Sequence, residues 1–265
     1  MIEIAGLTKR YGELAAVDGL DLKIQKGEIF GLLGPNGAGK TTTVKILTGL
    51  LRPTSGTIRV AGFDVLSQQL EAKRRMGLVP DEPFVYPKLT GAEFLRFVGD
   101  LYGVPLEQQR KRIPELLEMF ELTPFGGELA ESYSHGMRQK LVLSAALLHD
   151  PEVLVLDEPM VGLDPKGVRL VKEIFRTLSE RGCTLFMCTH ILEIASRPLG
   201  STVTSNAPRP ERTCAGNWGT GSSAGAAWAI ATPRSRPGTM RSRAARRTSD
   251  SAAAAAGRSK AARTA

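Results

Sequence analysis

At 265 residues the chain can bury a core in one large domain or two small ones, and its formal net charge of +8 alone suggests nucleic acid or acidic lipid as a partner. The distribution of charge excludes that for most of the molecule: residues 1–195 carry 23 Lys+Arg against 25 Asp+Glu, whereas residues 196–265 carry 12 against 2. Three cysteines at irregular spacing (Cys183, Cys188, Cys214) exclude a disulfide framework and fit a reduced cytosolic compartment. No signal peptide is expected at "MIEIAGLTKR", and the apolar run Leu141 to Leu148 is far short of the roughly 20 residues a bilayer span needs.

In chain order, "IEIAGLT" and "VDGLDLKI" alternate apolar with polar residues and predict half-buried antiparallel strands within residues 1–30. "IFGLL" (Ile29 to Leu33) is a continuous apolar run, the pattern of a strand covered on both faces. A glycine-rich loop from Gly34 to Gly39 follows, then "KTTTVKILTGL" with helical spacing, then a strand region in "GTIRVAGFDV". Residues 85–150 read as a helical insert. Thr90 and Glu93 have the spacing of a capping box and open the helix "GAEFLRFVGDLY", which Gly103 ends. "LEQQRKRIPELLEMFEL" is helical with Pro114 imposing a kink or a restart, and "MRQKLVLSAALLH" is a further helix. "EVLVLDE" is a buried strand ending in two acids. "PKGVRLVKEIFRTLSERG" is a helix with Gly182 at its C-terminal end, and "TLFMCTH" is a buried strand ending at His190. Strands alternating with helices predict a parallel α/β sheet carrying a helical subdomain.

"GPNGAGKT" (Gly34 to Thr41) fits G-x-x-x-x-G-K-[ST] in the required context, after an apolar strand and opening a helix. Its glycines let backbone N–H groups point into a concave loop, and the helix N-terminus adds positive potential. Lys40 can reach the β- and γ-phosphates of a nucleotide, and the Thr41 hydroxyl can ligate Mg²⁺. A buried strand that ends at Asp157 places a carboxylate at the carboxyl edge of the sheet, where it would hold Mg²⁺ through a water. Glu158 would then sit near the γ-phosphate and polarise the attacking water. His190 ends the next buried strand at the same edge, where a ring nitrogen could bond the γ-phosphate. Cys183, Cys188 and His190 could be taken for metal ligands, but the two thiols differ by five positions and face opposite sides of a strand, which favours core packing.

Residues 1–195 resemble the nucleotide-binding domain of an ABC transporter. "SYSHGMRQKLVLSAALLHDPEVLVLDEPMVGLDP" carries the resemblance most strongly, with a signature motif, the acid-bearing strand and a D-loop in order, and "YPKLTGAEFL" and "YSHGM" are closest to the exporter type that pairs with drug, antibiotic or polysaccharide permeases. The resemblance implies the fold of a P-loop NTPase, an α/β RecA-like parallel sheet core with an N-terminal antiparallel β subdomain and a helical insert. It implies ATP and Mg²⁺ as cofactors. Tyr11 would stack on adenine, while Gly34, Pro35, Asn36, Gly37, Ala38, Gly39, Lys40, Thr41 and Thr42 would wrap the phosphates. Ser134 and the Gly136 backbone would contact the γ-phosphate of ATP held by a second subunit, and Asp164 would cross the dimer interface. Two positions depart from the family. Asp81 stands where a loop glutamine is usual and could still approach Mg²⁺, although an ionised aspartate only accepts hydrogen bonds. In the signature, His135 replaces a glycine and Met137 a glutamine.

The function implied is an ATP-binding and hydrolysing subunit that powers an ABC-type membrane exporter through ATP-dependent dimerisation, as a homo- or heterodimer of nucleotide-binding domains. Its partner would be a separate transmembrane permease, and its location cytoplasmic, held at the inner face of the cell membrane through that permease. Nucleic acid is not expected. Two alternatives stay open: a non-transport ABC-like ATP-binding protein whose basic tail engages nucleic acid, and a truncated product that binds ATP without coupled transport.

In residues 196–265, Ala, Arg, Ser, Thr, Gly and Pro supply 58 of 70 positions, and Leu, Ile, Val and Phe only three. Such a segment cannot bury a core, so disorder is expected, with a frayed helix conceivable around Ala252 to Ala256. An out-of-frame translation of GC-rich DNA would have this composition, and the family's usual continuation past His190 is missing. A basic extension that binds nucleic acid or anionic lipid, and an inert linker, are the other accounts.

Overall fold

The computed structural model describes residues 1–189, 201–204 and 229–233. Its central sheet is built from apolar runs: β3 (Ile29–Leu33), β7 (Val153–Asp157) and β8 (Thr184–Thr189) are buried at every position. With β6 (Met76–Val79) they form a parallel array in the order β6-β7-β8-β3. Because successive strand residues face opposite ways, β7 and β8 divide between two cores. Leu154, Leu156, Leu185 and Met187 join one of them; Val153, Val155, Phe186 and Cys188 join the other, where Phe30 stacks on Phe186 with ring centroids 5.5 Å apart. Cys183 and Cys188 fall in different cores, as the five-residue spacing predicts. Burial pushes the Cys183 thiol up to about 11 and the Cys188 thiol well above its ordinary value, so both behave as small apolar side chains.

One core lies beneath an antiparallel sheet, β2 (Leu14–Ile24), β1 (Ile2–Tyr11), β4 (Ser55–Val60) and β5 (Phe63–Asp64) in that order, together with α1 (Lys40–Leu47). Ile2 and Ile4 of β1 are buried while Glu3 and Ala5 are exposed, the period of two read from the sequence. At Gly56, φ is +93° and a Cβ would stand 2.7 Å from the Ala5 carbonyl oxygen, so β4 can approach β1 there only with glycine.

The other core is covered by the helical insert and by α6 (Pro165–Glu180). The insert contains α3 (Gly91–Leu101), α4 (Leu106–Met119), α5 (His135–Leu147) and two 3₁₀ turns, Thr123–Phe125 and Ala130–Ser132. The capping box is formed as predicted: the Glu93 N–H donates to Thr90 Oγ1 at 3.2 Å, and the Thr90 N–H donates to Glu93 Oε2 at 2.9 Å. Pro114 does not restart α4, which runs through it. Proline forfeits one backbone bond, and the burial of Ile113, Leu116 and Leu117 on one side of the same helix outweighs that loss.

Among the α-helices and strands of residues 1–189, α2 (Gln69–Arg74) and β6 have no counterpart in the sequence pattern. Both are too short to show a period, and Gly77 interrupts β6. The glycine is needed because a Cβ there would collide with the Ala146 carbonyl of α5.

The stretch expected to lack order contains two short strands, β9 (Ser201–Thr204) and β10 (Ala229–Pro233). β10 pairs antiparallel with Leu32 and Leu33 of β3, and β9 with β10, extending the sheet to β6-β7-β8-β3-β10-β9. The outer edge of β3 offers unpaired backbone groups that accept a partner strand with little regard to its side chains. His190 and the other positions of 190–265 lie outside the described residues. Among the described residues no helix is long and apolar enough to cross a membrane.

Candidate nucleotide-binding site

The carboxyl ends of β3 and β7 converge on the glycine-rich loop. Gly37 and Gly39 hold φ values of 82° and 77°, which turn the backbone so that α1 begins with no side chain capping its N-terminus and no acid in its first turn. Its first N–H groups are therefore available to an anion. Lys40 is only 6% exposed; its ammonium folds over the loop and donates to the Gly34 carbonyl at 2.7 Å and the Pro35 carbonyl at 3.0 Å. Phosphate oxygens, being charged, would compete well for the same donor. Ala38 is buried and closes the loop by donating its N–H to the Pro35 carbonyl at 3.2 Å.

Beside the loop lies a cleft of about 250 Å³ lined by Ala16, Asn36, Gly37, Gly39, Lys40, Thr41, Thr42, Asp81, Asp157 and Glu158. Asp157 is 2% exposed. It accepts a hydrogen bond from the Thr41 side chain, yet its Oδ1 has no partner among the described residues. Burial raises its pKa above the ordinary aspartate value; the Asp81 and Glu158 carboxylates push the same way, and Thr41 and Lys40 oppose them. A buried carboxylate oxygen left open beside a threonine hydroxyl and a second aspartate is a set of hard oxygen donors, which fits Mg²⁺. No group of three His, Cys, Asp or Glu among the described residues makes a ready cage, so an ion here would share its ligands with phosphate and water. Glu158 sits in the left-handed region at φ 49°, and its N–H donates to the Cys188 carbonyl at 2.9 Å. β8 thus fixes the backbone of the second acid as well as pairing with the strand that carries the first.

The structure gathers Asn36, Gly37, Gly39, Lys40, Thr41, Thr42, Asp81, Asp157 and Glu158 into one cleft, with Gly34 and Pro35 holding Lys40. It does not bring Tyr11, Ser134, Gly136 or Asp164 to the lining of that cleft. Tyr11 is 50% exposed at the end of β1, with the Lys9 ammonium 5.1 Å from the centre of its ring. Ser134 caps α5, its hydroxyl accepting from the Met137 N–H at 3.2 Å, and Asp164 caps α6 by accepting from the Gly167 N–H at 3.0 Å. Gly136 lies against the Gly162 carbonyl. Ala16 on β2 lines the cleft but escaped the sequence reading, because its methyl carries no chemical signal. A second cavity, of about 440 Å³, lies where β7 and β8 begin and includes Lys26, Arg112, Glu115, Asp150, Glu152 and Cys183. Its charges face one another, with Arg112 and Asp150 3.6 Å apart, and it holds no phosphate loop.

Comparison with known proteins agrees with this geometry. The family model for the ABC transporter matches residues 17–161. The Nod factor export ATP-binding protein I of Ralstonia nicotianae is 41% identical over 74% of this chain and 61% of its own length. The linearmycin resistance ATP-binding protein LnrL of Bacillus subtilis is 40% identical over 73% of this chain and 62% of its own. The daunorubicin resistance ATP-binding protein DrrA3 of Streptomyces coeruleorubidus is 43% identical over 74% and 62%. The chain therefore spans about three fifths of the length of these relatives. Among solved structures, an ATP-binding subunit of an ABC transporter superposes with a TM-score of 0.72 at 31% identity, covering 77% of this chain and 85% of that one. The dimeric bacterial ABC transporter cassette MJ0796 superposes at 0.68 with 28% identity, covering 74% and 90%. From its phosphate loop to the strand that ends in two acids, this chain belongs to the ABC transporter family.

Proposed function

We propose that this chain binds and hydrolyses Mg-ATP and that its ATP-dependent dimerisation powers a membrane exporter built around a separate permease. The observation that carries the reading is the open Oδ1 of buried Asp157, next to Thr41, in a cleft shared with Lys40 and Glu158. Lys40 would exchange two carbonyl partners for phosphate oxygens. The α1 N-terminus and loop amides would absorb charge that grows on the transferred phosphoryl group. Glu158 would orient a water in line with the γ-phosphorus and take its proton as the bond to the bridging oxygen breaks, leaving the electron pair on ADP. Thr41, Asp157 and Asp81 would hold Mg²⁺, which would supply charge neutralisation to the phosphates. His190 remains assigned to a γ-phosphate contact.

Ser134, Gly136 and Asp164 stand away from the cleft, which suits residues that complete the site of a second cassette, and the relative MJ0796 is dimeric. The partner cassette would be a second copy or a homologue. Phe84, 68% exposed, and Phe97 both pack edge-on against Tyr86, at 5.4 and 5.2 Å between centroids. An exposed aromatic cluster whose Phe84 and Tyr86 follow Asp81 within five residues fits permease docking and a position at the inner membrane face. The relatives' names concern export of Nod factor and resistance to two antibiotics, and cargo of that kind is proposed here.

Glu158→Gln tests the reading. It is expected to bind ATP like the parent, lose about a hundredfold or more of turnover, and elute as a dimer with Mg-ATP in size exclusion with light scattering. Parental turnover in that variant would sink the role given to Glu158.

A further inference from the structure

Helix α5 is fastened at two levels to the segment that follows Glu158. At its first turn the His135 imidazole occupies the space in which a side chain on Gly162 would begin, and an added Cβ on Gly136 would stand 2.9 Å from the Gly162 carbonyl oxygen. One turn further along, Gln139 donates from Nε2 to the Pro159 carbonyl at 3.1 Å. Gln139 is 1% exposed. A buried amide is costly unless it is bonded, and a leucine or methionine would fill the same volume. The bond it makes falls on the carbonyl immediately after Glu158.

That carbonyl belongs to a weakly tied stretch. Pro159 has no N–H to give, and the next bonds are short-range turns, Val161 N–H to the Glu158 carbonyl at 3.2 Å and Leu163 N–H to the Met160 carbonyl at 3.3 Å. Glu158 itself is held at φ 49°, a conformation that persists only where the surroundings over-determine it. Its own N–H is fixed by β8, and Gln139 fixes the chain on its other side.

We infer that Gln139 is a positioning residue for hydrolysis: its amide holds the peptide after Glu158, and so ties the aim of that carboxylate to the orientation of the signature helix within one subunit. The inference rests on the role of Glu158 proposed above. A rotation of α5, as when its N-terminus meets a second cassette, would move the Pro159 carbonyl directly. Binding of ATP would be untouched, because Gln139 does not line the phosphate cleft.

Full-length Gln139→Met, near in volume but with no donor, is expected to keep KM for ATP within about twofold. Its kcat should fall about tenfold or more, since a small misplacement of a reacting group is enough for such a loss. Its Val161 and Leu163 amides should exchange hydrogen faster while those of β7 do not change. Gln139→Glu supplies a donor only while protonated, so its kcat relative to the parent should rise as pH is lowered below neutral. Unchanged exchange in Gln139→Met overturns the inference, as does a raised KM with parental kcat. Faster exchange at parental kcat overturns its catalytic part. Absence of turnover in the parent itself would count against the ATPase reading alone, and the amide exchange would still decide whether Gln139 holds the segment.

Discussion

Asp157 is buried with one oxygen open, and its pKa is raised in the fold, the reverse of a salt-bridged aspartate. The folded state therefore favours the protonated acid more than the unfolded chain does. Its stabilising contribution is present at low pH and is lost as pH rises through the interval between the ordinary value and the raised one. A cation beside the open oxygen would offset that cost. Asp157→Asn should accordingly raise the Tm of the nucleotide-free protein at pH 7 by about 2–4 °C, taking about 1 kcal/mol for an unpaired buried group. The gain should shrink toward acid pH, and the further Tm rise with Mg-ATP should largely vanish. Calorimetry with and without Mg-ATP checks both parts, and an unchanged Tm at pH 7 would remove the idea. At this scale the sequence was readable wherever chemistry imposes spacing: glycines, Lys40 and Thr41 in one short loop, and two acids ending an apolar run. Ala16 and Gln139 could not be read, since one acts through shape and the other through a bond that exists only once α5 lies on the loop after Glu158.

Elements were legible in proportion to their length and period. β1, β3, α3, α5, β7, α6 and β8 each repeat a pattern often enough to be recognised, and the Thr90–Glu93 cap marked a helix start to the residue. The short α2 and β6 were silent because their identity comes from neighbours. β6 is a strand through its pairing with β7, and Gly77 looks like an interruption until the Ala146 carbonyl is seen against it. Gly77→Ala is thus expected to cost about 1–3 kcal/mol, because the obstacle is backbone and also includes the Leu154 side chain. Urea unfolding monitored by circular dichroism measures this, and a loss below about 0.5 kcal/mol would mean that α5 yields without penalty. Pro114 is the opposite lesson, a local breaker overruled by one buried helix face.

For the whole molecule, the slightly acidic residues 1–195 contain every described part of the cleft, while the basic surplus belongs to 196–265. The curated relatives align over 193 to 197 residues, close to the length of that first portion. We propose a change of reading frame near codon 196 as the origin of the tail. Sequencing the locus should uncover an ABC-like continuation in another frame, and finding none in either alternative frame would dismiss it. The pairing of β10 with β3 is compatible with such an origin, because an open sheet edge recruits backbone rather than a particular sequence.

The place of β3 beside β8 also governs how the protein comes into being. The phosphate loop leaves the ribosome early, but the strand that holds its base in the sheet is among the last of the described core to be made. At typical synthesis rates the interval between Leu33 and Thr189 lasts about 10–30 s. Throughout it, an apolar strand awaits its β8 neighbour. Over that interval the nascent chain presents the open edge of an apolar strand, the kind of surface that aggregates unless it is shielded.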